Sequence, residues 1–146
     1  MTGAEAVERL QGTLAHLWMI RTFLKHADEV QDDENYLEVP RLLYDSIRAV
    51  EPAFLRGDHA EYLRRLKGKM GKLRKISAWY SAEYAKVSVH TNFEQAALSL
   101  KEAVRRMDEI FEAMKVTSSE NVEVAEAGGE GSSPTASDLT PRPPSL

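Results

Sequence analysis

Residues 58–87 read DHAEYLRRLKGKMGKLRKISAWYSAEYAKV, and their apolar positions recur at alternating steps of three and four. This spacing is typical of an amphipathic helix that buries one face. Asp58, followed three residues later by Glu61, matches a helix-capping sequence. The stretch therefore predicts a helix of roughly 45 Å. Its buried stripe consists of Leu63, Leu66, Met70, Leu73, Ser77, Tyr80, Tyr84 and Val87.

The same helix carries seven basic residues within residues 64–75, with no acidic residue among them. At ~100° per residue they spread around the side opposite the apolar stripe. Two glycines lie in the same stretch, and each costs a helix ~1 kcal/mol relative to alanine while letting a phosphate or another backbone approach closely. We call this set the cationic face: Arg64, Arg65, Lys67, Gly68, Lys69, Gly71, Lys72, Arg74 and Lys75.

Three interpretations of the cationic face stay open. It is a plain solvated surface, or it binds an anionic partner, either nucleic acid or an acidic protein surface. For nucleic acid, Trp79 and Tyr80 would supply stacking; the alternative for both rings is packing in the core. In the third interpretation it pairs with acidic segments of the same assembly, either residues 28–34 or the acidic C-terminal tail, which would screen it until a partner displaces the tail.

A second long helix is predicted from Thr91, because Thr91 and Glu94 form another capping pattern. Its apolar positions alternate strictly in steps of four and three, which is typical of a helix-bundle or coiled-coil seam. These positions are Phe93, Ala97, Leu100, Val104, Met107, Phe111 and Met114.

Two further helices precede the long pair. The apolar spacing predicts one over residues 4–30 and one that starts at Pro40, which suits the first turn of a helix. Pro52 does not suit a helix interior, so we expect the second helix to stop or kink near Val50, with Gly57 ending the terminal turn. No strand signal is present. The predicted fold is all-α, an antiparallel four-helix bundle with long third and fourth helices.

The charge of the chain is unevenly distributed. Residues 1–115 carry 18 Lys/Arg and 18 Asp/Glu, so their net charge is zero. Residues 116–146 carry one arginine and five acidic residues, which accounts for the whole net charge of −4. This balance argues against a globally basic nucleic-acid binder. We predict a helical-bundle domain over residues 1–115 and a disordered, acidic, Ser/Gly/Pro-rich tail over residues 116–146.

Composition excludes several classes of protein. The chain has no cysteine, which rules out disulfides, thiolate catalysis and thiolate metal sites. No stretch approaches the ~18 apolar residues of a membrane span, and the N-terminus lacks the pattern of a signal peptide. A protein without a membrane span, in the cytoplasm, is the expectation.

Polar residues inside the first helix define a candidate pocket. Arg21 and Asp28 fall within its apolar stripe, and His16 borders it. We expect them at the rim of the bundle; the alternative is a buried polar pair or a pocket for a small ligand or metal. Because no Glu-x-x-His motif and no nucleophile–base pair is visible, we predict no cofactor, no metal site and no catalytic residue.

The end of the tail carries a candidate recognition peptide. Residues 138–140 (DLT) and the final Ser145-Leu146 loosely resemble the targeting tails of encapsulin cargo proteins, and residues 141–144 (PRPP) have PxxP spacing. The peptide comprises Asp138, Leu139, Pro141, Arg142, Pro143, Pro144 and Leu146.

The sequence favours a non-catalytic interaction or adaptor protein that self-associates and carries this peptide on its tail. Trp18, Trp79 and Leu98 lie off the main stripes of their helices and are candidates for a second interface. The alternatives are an anion or nucleic-acid binder that uses residues 64–75, and a helical bundle that binds a ligand or metal.

Overall fold

The computed structural model describes the backbone of residues 1–128 and the side chains of residues 1–116. All regular structure within residues 1–128 is helical, which confirms the predicted all-α class for this part of the chain. The five helices are α1 (Gly3–His26), α2 (Asp28–Gln31), α3 (Glu34–Arg56), α4 (His59–Val87) and α5 (Thr91–Gly128).

The four long helices enclose one apolar core. α3 packs against α1 and α4, and α5 packs against the same two helices. The stripes predicted for the long helices meet in this core, where Leu66 and Leu73 of α4 and Leu100 and Met107 of α5 are fully buried. Removing these side chains from water supplies the main driving force for the packing.

The start of α4 is confirmed where the sequence predicts it. Gly57 ends α3 in the left-handed conformation, with φ 71°. Its N–H donates to the Phe54 carbonyl at 3.0 Å, and the Asp58 N–H donates to the Ala53 carbonyl at 2.9 Å, which is a Schellman motif. The Asp58 carboxylate then accepts from the Glu61 N–H at 3.1 Å. Two adjacent residues thus end one helix and begin the next.

The prediction of one helix over residues 4–30 is wrong at its end. α1 stops at His26, and Ala27 is extended, with φ −75° and ψ 122°. The chain then forms the single turn α2, which buries Val30 in the core and leaves Asp28 and Glu29 exposed. Turning the chain at Ala27 lets an apolar residue reach the core while the acidic residues stay in water.

The predicted start of the second helix at Pro40 is also wrong. α3 begins at Glu34, because the Asp33 carboxylate caps it by accepting from the N–H groups of Asn35 at 2.9 Å and Tyr36 at 3.3 Å. The cap signal lies within the acidic run that the sequence suggests as a connection.

Both prolines lie inside α3, so the helix does not stop near Val50. The alternative of a kink there stays a prediction. A proline in a helix interior removes one backbone hydrogen bond and costs ~3 kcal/mol. Pro40 is itself buried, as are Val39 and Leu43 beside it, and their burial offsets this cost. Pro52 lies in the last two turns, next to the buried Ala53.

The start of α5 is shifted by one residue from the predicted cap. Thr91 is the first helical residue, and the acceptor that caps the helix is Nδ1 of His90, which lies 3.0 Å from the Asn92 nitrogen. α5 continues to Gly128, beyond the domain boundary predicted after Lys115, and that boundary stays a prediction. The candidate tail peptide, residues 138–146, lies outside the described residues.

Within residues 1–128, no helix combines the length and the apolar character needed to cross a membrane.

Candidate functional site

The cationic face occupies the side of α4 that points away from the core. All of its basic residues are exposed except Lys69, which is half-buried, and both glycines are exposed. The buried stripe of α4 fixes this orientation, since Leu66, Met70 and Leu73 hold the opposite side of the helix in the core. The predicted placement of the charges opposite the apolar stripe is confirmed.

The first two arginines of the face are already paired. Both Arg64 and Arg65 contact the carboxylate of Glu61, at 2.7 Å in each case. Hydrogen bonds from Arg64, and then from Arg65, lower the pKa of Glu61 to about 2. These pairs follow the i,i+3 and i,i+4 spacing of a helix surface, so Glu61 neutralises part of the charge at this end of the face.

Arg74 is paired across the helix interface. Its Nη2 lies 2.9 Å from Oδ1 of Asp108 on α5, and its Nε lies 3.1 Å from each oxygen of that carboxylate. The hydrogen bond to Asp108 raises the pKa of Arg74 above its ordinary value. The pair joins α4 to α5 and removes a third arginine from the charge that is open to a partner.

The four lysines of the cationic face, unlike its arginines, have no charged partner within residues 1–116. Within residues 1–116, Lys67, Lys69, Lys72 and Lys75 make no hydrogen bond and no ion pair. Lys72 and Lys75 line a groove of about 550 Å³ beside α3. The unneutralised charge of the face is therefore carried by lysine ammonium groups.

The two glycines are not required by packing inside the chain. A Cβ added to Gly68 or Gly71 would meet no atom within 4 Å. The bare backbone between the lysines is therefore open to an approaching group, as the sequence suggests.

The aromatic residues expected to stack on bases are used elsewhere. Tyr80 is buried, its hydroxyl donates to the Phe93 carbonyl at 3.0 Å, and burial raises its pKa above the ordinary value. Trp79 is half-buried and packs on Tyr36, with 4.9 Å between ring centroids. The expectation that Tyr80 supplies stacking is wrong, because its ring belongs to the core.

The acidic segment 28–34 does not pair with the cationic face within the described residues. Asp33 caps α3, and Glu34 contacts Arg41 at 2.9 Å, where Glu38 adds a second contact at 3.1 Å. The other interpretation, pairing with the C-terminal tail, concerns residues whose side chains lie outside the described part of the chain.

The three candidate pocket residues lie in different places. His16 is exposed and lines an open groove of about 460 Å³ between α1 and α5, together with Arg9 and Arg106. Arg21 lies on another side of α1 and lines a groove of about 520 Å³ against α3. Asp28 is exposed in α2, so the alternative of a buried Arg21–Asp28 pair is wrong.

A cluster that the sequence analysis missed lies at the α1–α3 contact. The guanidinium of Arg21 is 4.6 Å from the ring centroid of Trp18 and 4.9 Å from that of Tyr44. Arg48 approaches the same two rings at 5.5 Å and 5.3 Å. The signal in the sequence is the spacing Trp18-x-x-Arg21 and Tyr44-x-x-x-Arg48, which puts each arginine beside an aromatic ring on one helix face.

The three residues of the candidate second interface do not form one surface. Trp18 belongs to this cluster, Trp79 packs on Tyr36, and only Leu98 of the three is largely exposed, at 54%. A single exposed leucine is normal for a protein surface.

Among the described residues, no group of three or more His, Asp or Glu side chains is arranged to hold a metal ion. Comparisons with protein-family models, with characterised proteins and with solved structures find no match to this chain.

Proposed function

We propose that this protein is a non-catalytic helical-bundle interaction protein that binds an acidic partner protein through the cationic face of α4. The observation that carries the proposal is the set of four lysines without a partner in the described residues, arranged around a stretch of open helix backbone. Positive charge concentrated on one helix of a body with no net charge gives a defined surface for an anionic partner.

The proposed scaffold is an antiparallel four-helix bundle. Contacts between α3 and α4 support it, because Tyr36 donates to the Glu83 carbonyl at 2.6 Å near one end and Phe54 packs on Tyr62 near the other. Two contacts between α4 and α5 support the same arrangement: Tyr80 contacts Phe93, and the earlier Arg74 contacts the later Asp108. This order is the one expected for antiparallel helices. Short connections at residues 57–58 and 88–90 fit antiparallel neighbours.

One feature favours an acidic protein over single-stranded nucleic acid. The buried Tyr80 offers no ring for base stacking, which binders of single-stranded nucleic acid use. The three arginines of the face already contact Glu61 or Asp108, so lysines carry its open charge, and lysine binds carboxylates as well as phosphates. Duplex DNA is therefore the second probe in the test.

Self-association remains part of the proposal, without an apolar seam to support it. The stripe of α5 that suggested such a seam is used inside the chain, where Phe93, Leu100 and Met107 are buried. The large hydrophobic side chains that are exposed within residues 1–116 are separated along the chain: Met19, Tyr44, Val89, Leu98 and Val116. Any self-association would then depend on charge. Because salt screens charges, the average molar mass of the protein measured by light scattering would fall as salt is added.

The test compares two triple variants that remove the same charge from different surfaces. K67Q/K72Q/K75Q removes three of the four unpaired lysines of the cationic face, and R9Q/R56Q/R106Q removes exposed cations of α1, α3 and α5. Binding of labelled poly-L-glutamate is measured at low salt by fluorescence anisotropy, with duplex DNA as a second probe. We expect the first variant to lose at least about tenfold in poly-L-glutamate affinity and the control to change by about threefold or less.

Equal losses in the two variants would show that only net charge matters and would overturn the proposal. Tighter binding of duplex DNA than of poly-L-glutamate at matched charge would replace the acidic protein by a nucleic acid as the partner. Circular dichroism of each variant confirms that the helices are retained.

A further inference from the structure

Two aromatic rings and two guanidinium groups lie close together at the surface where α1 meets α3. Trp18 of α1 and Tyr44 of α3 lie 6.1 Å apart between ring centroids, and the guanidinium groups of Arg21 and Arg48 lie over both rings. Each guanidinium is held in place by its contacts with two rings. Little side-chain entropy is therefore lost when a ligand binds to it.

The two arginines differ in what their N–H groups contact. Arg48 donates to the carboxylate of Glu51, and this hydrogen bond raises its pKa. Arg21, half-buried beside it, makes no hydrogen bond and no ion pair with any residue of the described part of the chain. Contacts with the two rings position the guanidinium of Arg21. Its N–H donors have no partner among the described residues and are available to a ligand.

The groove in front of Arg21 combines charge with an apolar wall. Its lining includes Lys25, one turn further along α1, and the apolar surfaces of Leu37, Pro40 and Tyr44 on α3. The Lys25 ammonium likewise has no partner within the described residues, whereas Arg41, which also lines the groove, contacts Glu34 and Glu38. The volume, about 520 Å³, is in the range of sites that take a few side chains.

We propose that this groove binds an acidic peptide segment of a partner protein, with a Glu or Asp carboxylate on Arg21 and Lys25 and a neighbouring apolar side chain on Leu37 and Pro40. A carboxylate matches the fork of N–H donors on a guanidinium in a bidentate geometry. The site lies on α1 and α3 and does not depend on the cationic face of α4.

A carboxylate fits this groove better than a phosphate polymer does. Asp45 lines the same groove, and Glu34 and Glu38 contact Arg41, another lining residue. Successive phosphates would meet these acids, whereas one carboxylate needs only Arg21 and Lys25.

The experiment follows the Arg21 side chain by NMR in the full chain. The ¹H–¹⁵N signals of Arg21 Nε and of the Trp18 indole are recorded during titration with the peptide Ac-Ala-Glu-Leu-Ala-NH₂, with the Gln peptide of the same sequence as the matched probe. We expect saturable shifts with the Glu peptide and none with the Gln peptide. R21K, which keeps the charge and loses the fork, should weaken binding at least about tenfold.

K25Q is a second variant at an exposed position, and it should weaken binding without affecting the fold. R106Q, on another surface, should leave the affinity unchanged. Equal shifts with the Gln peptide, or an affinity unaffected by R21K and K25Q, would overturn the site. Larger shifts with inorganic phosphate than with the Glu peptide at the same concentration would overturn its assignment to carboxylates.

Discussion

Arg74 of α4 and Asp108 of α5 form a two-pronged ion pair that links the helix carrying the cationic face to its neighbour. The pair is partly exposed, with 55% of the arginine side chain and 36% of the aspartate side chain accessible. It therefore contributes little to stability, at most about 1 kcal/mol, but it takes one arginine out of the cationic face.

Asp108→Asn tests whether the pair affects binding more than it affects stability. We expect the free energy of unfolding in urea to fall by about 1 kcal/mol or less, because exposed ion pairs are weak. Affinity for poly-L-glutamate should rise about twofold to fivefold, since Arg74 is released to the face. An affinity that falls would mean that Arg74 is not part of the binding surface.

The same substitution should have opposite effects at two glycines. Gly68→Ala should raise the free energy of unfolding by about 0.5–1 kcal/mol, because its Cβ meets open space in a helix interior. Gly57→Ala should lower it by about 1 kcal/mol, since Gly57 has φ 71°. Urea unfolding of both variants measures the difference. A loss of stability in Gly68→Ala would contradict the open surface at that position.

Stability should fall at alkaline pH because of buried tyrosines. Burial raises the pKa of Tyr62 and of Tyr80 in the folded protein above the ordinary value of 10.0. The unfolded chain therefore loses these protons first, so their contribution is complete below pH 10 and is lost as the pH rises beyond it. Urea unfolding between pH 8 and pH 11 measures the decline, with buffers chosen at about one-unit steps.

Tyr62→Phe is the variant that separates this effect from general alkaline unfolding. The Tyr62 hydroxyl donates to Gln11 Oε1 at 2.7 Å, so its removal should cost about 1 kcal/mol at neutral pH. The same change should make the alkaline decline shallower. A decline of unchanged slope would mean that Tyr62 does not titrate with unfolding.

Acid should weaken the protein through two partly exposed carboxylates. Hydrogen bonds from Arg64 lower the pKa of Glu61, and hydrogen bonds from Arg105 lower that of Glu102, each from 4.5 to about 2. Their contribution is complete above pH 4.5 and is lost as the pH falls toward 2. The effect should shrink in salt, because both pairs are exposed to solvent.

The double variant E61Q/E102Q provides the comparison, measured by urea unfolding between about pH 5 and pH 3. It should show a flatter acid profile than the unaltered protein. Identical profiles would show that these ion pairs contribute nothing in solution.

The sequence predicts the long helices and the orientation of the cationic face because both depend on local spacing. The cap at Asp58 and the buried stripe of α4 from Leu66 to Tyr80 appear in the structure as predicted. The predicted Leu63, Tyr84 and Val87 are half-buried, and the sequence pattern misses the buried Tyr62. α3 is predicted poorly, since proline preferences describe an isolated helix, whereas Pro40 is held in the interior by its burial in the core.

Contacts between side chains of different helices could not be predicted from the sequence alone. The contacts of Arg64 and Arg65 with Glu61 follow from helix spacing, but the contact of Arg74 with Asp108 depends on how α4 and α5 pack. For the same reason the Trp18 and Tyr44 cluster is visible only as two separate pairs until α1 and α3 are brought together.

The most direct test of the cationic face is a ¹H–¹⁵N titration of the full chain with poly-L-glutamate at low salt. Amide signals of glycine occupy a resolved region of the spectrum, and Gly68 and Gly71 lie in the middle of the face. We expect saturable shifts of these two signals, abolished in K67Q/K72Q/K75Q and retained in R9Q/R56Q/R106Q. Binding with unmoved Gly68 and Gly71 signals, or no binding at all, would contradict the account.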